Sequence, residues 1–284
     1  MSGIMASRLD ALPAPHSGAR SLLLTMLGEF VRPSGGSVWT STVVDGLGTV
    51  GITERNARQA VARLGEQGIV EPERIGRRTR WQLTDAGERL LTAGAERIYS
   101  FGSQADSWTG AWLLVSCQIP DRRRAVRHRY RTQLAFEGFG SLTPNLTVSP
   151  HPDREKAAND IITSLGLADL AMTFIARSGE ITDDAEILAT AWDLDGLAER
   201  YAGFIDAFDD MRDPAGNSPT ASFAATLQLV DAWRRFPFAD PELPTELLPS
   251  EWIGTRARVA FEQVRARHAA DATAWFATAE ADAA

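Results

Sequence analysis

The first hundred residues show helical periodicity followed by strand-like alternation. Apolar residues recur at the spacing of one helical face in the segment LLLTMLGEF, at Leu23, Met26, Leu27 and Phe30. A short helix is predicted to start at Ser41, and turn glycines separate it from a longer helix over 53–67. Thr53 stands where the N-cap of this longer helix is expected, and Gly68 stands where the helix should end.

A hairpin pattern follows the longer helix. Residues 69–83 are predicted to form a strand and a hairpin that turns at Gly76 and Arg77. Thr84 is then expected to cap another helix. The order helix, helix, turn, helix, hairpin, helix is that of a winged helix-turn-helix, which we predict for residues 19–100.

The middle of the chain predicts a ferredoxin-like fold. The nearly continuous apolar segment AWLLVSCQ is typical of a buried strand, and helix and strand patterns follow it. The predicted order is strand, helix, strand, strand, helix, strand, at 111–118, 121–136, 138–142, 145–149, 153–166 and 171–176. This split β-α-β unit is expected in a central domain over 108–190, which makes the chain an α+β protein.

The last part of the chain is predicted to be helical. Apolar stripes in 194–211 and 220–236 suit packing or dimerisation, whereas the proline-rich segment 237–249 cannot continue a helix. We therefore expect a helical C-terminal domain over 191–284 that serves dimerisation or effector binding. Residues 1–18 lack the apolar segment of a signal peptide and are predicted to form a disordered tail.

Composition narrows the class of protein. No apolar run approaches the roughly 18 residues of a membrane span, so no transmembrane helix and no membrane partner are expected. A chain with only one cysteine is expected to be a soluble protein of the reducing cytoplasm. The single cysteine, Cys117, cannot form an intrachain disulfide, and four histidines leave little material for a zinc site. Composition alone does not exclude a metal site made of carboxylates. Because no catalytic motif is recognisable, we predict a non-enzyme without cofactor or metal.

The distribution of charge matters more than the net charge of −8. Residues 1–90 hold 11 arginines and 9 acidic residues, whereas the remainder of the chain carries a net −10. Within 52–80 the balance is 7 arginines to 4 acidic residues. A locally basic module on an acidic body suits a protein that binds double-stranded DNA with one face.

The predicted helix at 53–67 presents side chains suited to base edges. Its apolar residues share one face, at Ala57, Ala60, Val61 and Leu64. The opposite face and its flanks carry Arg55, Asn56, Arg58, Gln59, Ala62 and Arg63. Arginine can bind guanine, and Asn or Gln can bind adenine, through paired hydrogen bonds. We therefore expect Arg55, Asn56 and Gln59 to read bases. Supporting DNA contacts are expected from Thr53, Arg58 and Arg63.

The hairpin supplies candidates for phosphate contacts, at Arg74, Arg77, Arg78 and Arg80. Cations on a protruding hairpin lie beside the recognition helix, where they can contact the DNA backbone. Alternatively, these arginines form a solvated edge that discourages strand aggregation. We favour DNA contact because helix and hairpin occur together in the right order.

Three segments resemble one family of regulators. NARQAVARLGEQGIVE with GRRTRWQLTDAGERLL is similar to the N-terminal domain of the PaaX-like repressors of phenylacetic-acid catabolism. WTGAWLLVSCQIPDRRRAVRHRYRTQLAFEGFGSLTPNLTVSP resembles that family's middle domain, and WRRFPFADPELPTELLPSEWIG resembles its C-terminal signature. The last segment is the most specific, because its proline and tryptophan spacing is hard to obtain by chance.

The resemblance implies a homodimeric repressor of aromatic-acid catabolic genes. In the family, an aromatic acyl-CoA such as phenylacetyl-CoA releases the repressor from operator DNA. The sequence does not distinguish a repressor from an activator, because that difference depends on where the operator lies relative to the promoter.

The resemblance also implies a central domain similar to the Cas2 nuclease fold. A Cas2-like metal-dependent nuclease or an acyl-CoA-handling enzyme is therefore the rival hypothesis. Asp121 follows the first central strand and is the candidate metal ligand for a nuclease. An aspartate before a helix is more commonly an N-cap, and we favour that interpretation.

Tryptophans and arginines supply candidate effector-binding residues: Trp108, Trp112, Arg124, Arg127, Trp233 and Arg234. An aromatic effector would bind tryptophan, although tryptophans are more commonly core or dimer contacts. The basic run 122–131 could hold effector phosphates or DNA backbone. It could also be a solvated helix face paired with acidic residues of 183–213, the alternative that we favour.

Overall fold

The computed structural model describes residues 18–102, 107–212 and 218–284. The chain forms two compact units, and each is built from separate stretches of sequence. The first unit comprises residues up to Phe101 with Arg200–Arg235 and Arg256–Ala284; the second comprises Gly102–Glu199 with Phe236–Thr255. Except for Gly18, the tail predicted at 1–18 lies outside the described residues.

The first unit begins with a winged helix-turn-helix, as predicted. Its elements are α1 (Ala19–Met26), which continues as a π-helical turn, β1 (Ser37–Trp39), α2 (Thr40–Gly48), α3 (Glu54–Glu66), β2 (Val70–Ile75), β3 (Arg78–Leu83) and α4 (Asp85–Ser100). The strands form an antiparallel sheet in the order β1-β3-β2, and β2 and β3 make the wing. β1 was not predicted, because its three residues, SVW, are too few to show a period.

Local signals set the ends of α3 and α4 as predicted. The Thr53 hydroxyl accepts a hydrogen bond from the amide of Asn56 at 3.4 Å, and Thr84 Oγ1 accepts one from the amide of Gly87 at 3.0 Å. Each side chain satisfies an amide that the first helical turn leaves without a partner. Gly68 turns the chain from α3 into β2 at a φ of 70°, a conformation that costs glycine little.

The second unit contains the predicted ferredoxin-like fold. Its elements are β4 (Trp112–Cys117), α5 (Arg124–Phe136), β5 (Gly140–Thr143), β6 (Leu146–Ser149), α6 (Glu155–Ser164), β7 (Ala171–Ala176) and α7 (Asp184–Ala191). The sheet order is β5-β6-β4-β7, and every neighbouring pair is antiparallel. Leu134 of α5 and Ile162 of α6 pack with Leu113 and Val115 of β4, so the helices cover one sheet face.

Asp121 is not the N-cap that its position suggested. A 3-10 turn, Asp121–Arg123, comes first, and α5 starts at Arg124 without a side-chain cap. The Asp121 carboxylate instead accepts a hydrogen bond from the guanidinium of Arg127 at 2.8 Å. The prediction failed because the extra turn moves the helix start three residues beyond the aspartate.

The C-terminal helices complete the core of the first unit. They follow α8 (Leu194–Phe208) and are α9 (Pro219–Trp233) and α10 (Ile253–Ala283). The apolar stripes predicted for α8 and α9 are buried, at Leu197, Tyr201, Phe204, Phe208, Leu227 and Val230. Phe223 of α9 and Phe276 of α10 pack against Phe30, and their ring centroids lie 4.7 and 5.8 Å, respectively, from that of Phe30. The winged helix therefore takes core residues from the last third of the chain.

A buried carboxylate joins α9 to α1. Asp231 is 1% exposed, and its Oδ1 accepts hydrogen bonds from the hydroxyls of Ser21 at 2.7 Å and Thr25 at 3.2 Å. Arg234 and Arg235 pair with the same carboxylate at 3.0 and 3.2 Å. A buried charge is tolerated when it is both paired and hydrogen-bonded, and these donors meet both conditions.

We expect Asp231→Ala to lower the free energy of unfolding by about 2 to 3 kcal/mol, because it leaves two hydroxyls and two guanidinium groups without their shared acceptor. Chemical denaturation of the full chain measures this loss. Asp271→Ala, at an exposed position of α10, is the control and should stay within about 0.5 kcal/mol of the parent. Equal stability of the two variants would contradict the role assigned to Asp231.

Candidate nucleic-acid interface

The exposed face of α3 is the one that the sequence predicted. The apolar stripe is buried, with exposed fractions between 0% and 4% at Ala57, Ala60, Val61 and Leu64. The opposite face and flanks are exposed at Arg55, Asn56, Arg58, Gln59, Ala62 and Arg63. Because core packing fixes the rotation of α3 about its axis, all six side chains are held toward solvent.

The structure adds Glu54 to this surface. Its carboxylate accepts a hydrogen bond from Arg58 Nε at 2.8 Å, and both side chains remain more than half exposed. The bond engages Nε, so the terminal nitrogens of the guanidinium can still reach a base or phosphate. The sequence carried the signal for this pair, since Glu and Arg four residues apart on a helix commonly interact.

The four wing arginines do not share one environment. Arg74 and Arg77 are exposed at the tip of the hairpin, on either side of Gly76. Arg78 is exposed as well, but its guanidinium donates to the main-chain carbonyl of Ala283 in α10, at 2.8 Å. Arg80 is half-buried, and its guanidinium lies 5.6 Å from the centre of the Trp39 ring. Arg78 and Arg80 therefore make contacts within the first unit, whereas Arg74 and Arg77 lie exposed at the tip.

The last turns of α10 contact three elements of the winged helix. Besides the Arg78 bond to β3, the amide of Trp39 in β1 donates to Glu280 at 3.0 Å, and the Thr42 hydroxyl of α2 donates to the carbonyl of Ala279 at 3.3 Å. More than 200 residues separate each of these pairs in sequence. No local pattern could have revealed them.

A second polar cluster ties α10 to the first helix. The Arg265 guanidinium donates to Glu29 Oε1 at 2.6 and 2.9 Å and lies 4.5 Å from the centre of the Tyr99 ring. The Tyr99 hydroxyl donates to the other oxygen of Glu29. Burial, with the nearby Glu29 charge, raises the pKa of Tyr99 far above its usual value. Tyr99 therefore stays protonated and remains a donor across the physiological pH range.

Two effector candidates lie in the first unit. Trp233 is 1% exposed, and its ring packs with those of Tyr201, Phe204 and Phe261. Arg234 donates to Asp231 and to both oxygens of Ser21. Both side chains therefore already contribute to the packing between α9 and its neighbours.

The other effector candidates lie in the second unit. Trp112 is 1% exposed and donates to Asp184 at 2.8 Å, whereas Trp108 is half-buried and borders an open cavity of about 230 Å³. Arg124 is exposed at the start of α5. The Arg127 guanidinium donates to the carbonyl of Ile119 and to Asp121.

Other arginines of the basic run bind the main chain of the second unit. Arg123 donates to the carbonyls of Leu165 and Gly166, and Arg131 donates to that of Pro144. Together with the Arg127–Asp121 pair, these contacts engage three of the arginines without the acidic residues of 183–213. They anchor α5 and the turn before it to neighbouring loops.

Two buried side chains of the central domain, Cys117 and Tyr130, are held in their protonated forms. Burial raises the pKa of the Cys117 thiol and that of the Tyr130 hydroxyl, the latter to about 12. Both groups are therefore protonated near neutral pH, whereas a nucleophile needs a lowered pKa.

Across the described ranges, no three His, Cys, Asp or Glu side chains are grouped as a metal site requires. In the same ranges, no helix is long and apolar enough to cross a membrane.

The fold and the exposed face of α3 define a winged helix-turn-helix protein. Family models match at residues 18–87 (PaaX-like protein), 105–188 (PaaX protein central Cas2-like domain) and 192–278 (PaaX-like protein C-terminal domain). The chain is 32% identical over 254 residues to the transcriptional repressor PaaX of Escherichia coli (strain K12), covering 86% of this chain and 78% of that protein. The chain therefore belongs to the PaaX-like family.

A solved structure gives independent support for the fold. An uncharacterized protein from Mycobacterium tuberculosis has a TM-score of 0.60 to this chain at 22% sequence identity. The match covers 89% of this chain and 98% of that one. At this identity the likeness concerns the fold alone.

We expect Arg77→Ala to lower the slope of log K against log salt for DNA binding by about 1, because one phosphate contact is lost. Arg78→Ala is the matched neighbour and should change the slope much less, because its guanidinium is engaged by Ala283. Fluorescence anisotropy with a DNA duplex at several salt concentrations measures both slopes. Equal slopes for the two variants would contradict this division of the wing.

Proposed function

We propose that this chain is a cytoplasmic, homodimeric transcriptional repressor that binds operator DNA through its winged helix. The observation that carries the proposal is the polar, exposed face of α3, positioned by a fully buried stripe, in a chain related to a repressor. Such a face supplies the Arg, Asn and Gln side chains that hydrogen-bond to base edges in the major groove.

In this proposal the DNA-contacting residues have different roles. Arg55, Asn56 and Gln59 lie on the first two turns of α3 and read bases, because a recognition helix enters the groove with its N-terminal part. Arg74 and Arg77 at the wing tip contact phosphates and add affinity that does not depend on sequence. Thr53, Arg58 and Arg63 flank the reading face, and Glu54 orients Arg58.

The acidic remainder of the chain supports this orientation. With a net charge of −8 on the whole protein, the basic segment at 52–80 gives the winged-helix face a local electrostatic attraction to DNA that the chain as a whole lacks. Unproductive approaches through the acidic surface are repelled. A homodimer would present two such faces, separated by one helical turn of DNA, about 34 Å, or a multiple of it.

The proposed effector is an aromatic acyl-CoA, and the regulated genes are those of phenylacetate-type catabolism. The support is the 32% identity to the transcriptional repressor PaaX of E. coli. Of the candidate effector residues, Trp108 and Arg124 have exposed surface, whereas Trp112, Arg127, Trp233 and Arg234 already make internal contacts. No enzymatic step is part of the proposal.

The decisive test is binding of the purified protein to DNA upstream of candidate catabolic operons at fixed salt, with and without phenylacetyl-CoA. We expect specific binding that the thioester weakens, because an effector that favours the DNA-free state shifts the equilibrium toward release. Free CoA and phenylacetate are the controls and should leave binding unchanged. Specific DNA binding that phenylacetyl-CoA does not weaken would contradict the proposed effector class. Absence of specific binding to every candidate promoter would contradict the proposal that the chain is a repressor.

A further inference from the structure

A second basic segment of the chain lies in the second unit. Residues 121–137, which include α5, hold six arginines and two acidic residues, so their net charge is +4 with His128 neutral. The segment 52–80, which includes α3 and most of the wing, has 7 arginines and 4 acidic residues, a net charge of +3. An acidic protein therefore carries a concentration of positive charge that DNA contact by the winged helix does not explain.

The structure divides these six arginines into two groups. Three of them donate to main-chain carbonyls of the second unit: Arg123, Arg127 and Arg131. The other three are exposed: Arg122, Arg124 and Arg129. Within the described residues, none of the exposed three makes a hydrogen bond or an ion pair. Their charges therefore do not contribute to holding the second unit together.

The exposed side of α5 allows close approach of a partner. Tyr130 and Leu134 are buried in the core of the second unit, and they fix the rotation of the helix about its axis. Arg124 and Arg129 consequently face solvent, together with the small side chain of Ala125. The sequence of α5, RAVRHRYRTQLAF, contains no acidic residue that would repel an anion.

The spacing of the two exposed arginines of α5 suits a DNA strand. Five residues of helix separate Arg124 from Arg129, a distance of about 7.5 Å along the axis. Each strand of a DNA duplex carries one phosphate per about 3.4 Å of duplex axis. The two guanidinium groups can therefore reach phosphates two positions apart on one strand, and the guanidinium group matches phosphate through paired hydrogen bonds.

An extended polyanion fits this surface better than a small effector does. Small-molecule sites are concave and enclose most of the ligand, whereas the exposed side of a helix is convex. The open cavity beside Trp108 is lined by none of the three exposed arginines. Contacts to DNA phosphates need no enclosure, because the phosphates lie on the outside of the duplex.

We propose that Arg122, Arg124 and Arg129 bind backbone phosphates of duplex DNA, so that the central domain carries a second DNA-binding surface. This inference rests on the proposed function, in which α3 reads the bases of an operator. The second surface adds affinity without sequence preference, because the phosphates are the same at every base pair. Arg124 is thereby assigned to DNA rather than to the effector.

The first measurement is the slope of log K against log salt for a random duplex several helical turns long. We expect Arg124→Gln/Arg129→Gln to lower the slope by about 2, because each lost phosphate contact removes about 0.9. Fluorescence anisotropy of the full chain at several salt concentrations measures the slope. Both positions are exposed, so the variant should unfold at the same temperature as the parent.

Arg256→Gln/Arg267→Gln is the matched control, because it removes the same charge from exposed positions of α10. This control should keep the slope of the parent. An unchanged slope for Arg124→Gln/Arg129→Gln, or an equal fall in the control, would overturn the proposal.

Hydroxyl-radical footprinting on an upstream fragment that the parent binds supplies a second test. We expect Arg124→Gln/Arg129→Gln to keep the protection given by α3 and to lose protection elsewhere on the backbone. Identical footprints would overturn the proposal. So would a variant that binds DNA like the parent but is no longer released by phenylacetyl-CoA, because the arginines would then hold the phosphates of the effector. If the parent has no specific site on any fragment, the repressor is rejected, whereas the slopes on random duplex still decide this inference.

Discussion

The packing of α10 and α9 against α1 is the constraint on which the DNA-facing surface depends. Phe276 and Ala272 enter the same core as Leu27 and Phe30, and the buried Asp231 adds a polar tie that tolerates little displacement. This core also contains the buried stripe of α3. The rotation of the recognition helix is thus determined by residues at both ends of the chain.

The same arrangement links the C-terminal helix to the wing. Ala279, Glu280 and Ala283 lie on the last turns of α10 and bind α2, β1 and β3 respectively. Any shift of α10 would change these three contacts together. Of the four wing arginines, Arg78 is engaged by α10 and Arg80 lies near Trp39, so the wing is divided between internal support and solvent-facing charge.

Features that depend on residues close together in sequence were predicted correctly, whereas features that depend on residues far apart in sequence were not. The caps at Thr53 and Thr84, the stripe of α3 and the order of the ferredoxin-like unit were predicted, because each depends on residues within a few positions of one another. The engagement of Arg78 and the joint core were missed, since their partners lie more than 200 residues away. The prediction that Asp121 caps the helix was wrong, because a short 3-10 turn and a helix start have the same local pattern.

The central claim is that the exposed face of α3 reads bases, and the most direct test is sequence discrimination by Gln59→Ala. Its affinity should be measured for the operator, for operators with single base-pair changes and for random duplex, with Gln263→Ala at an exposed position of α10 as the control. We predict that Gln59→Ala loses discrimination of about 1 to 3 kcal/mol at one base pair and keeps its affinity for random duplex. Equal loss of affinity for operator and random duplex would contradict the claim.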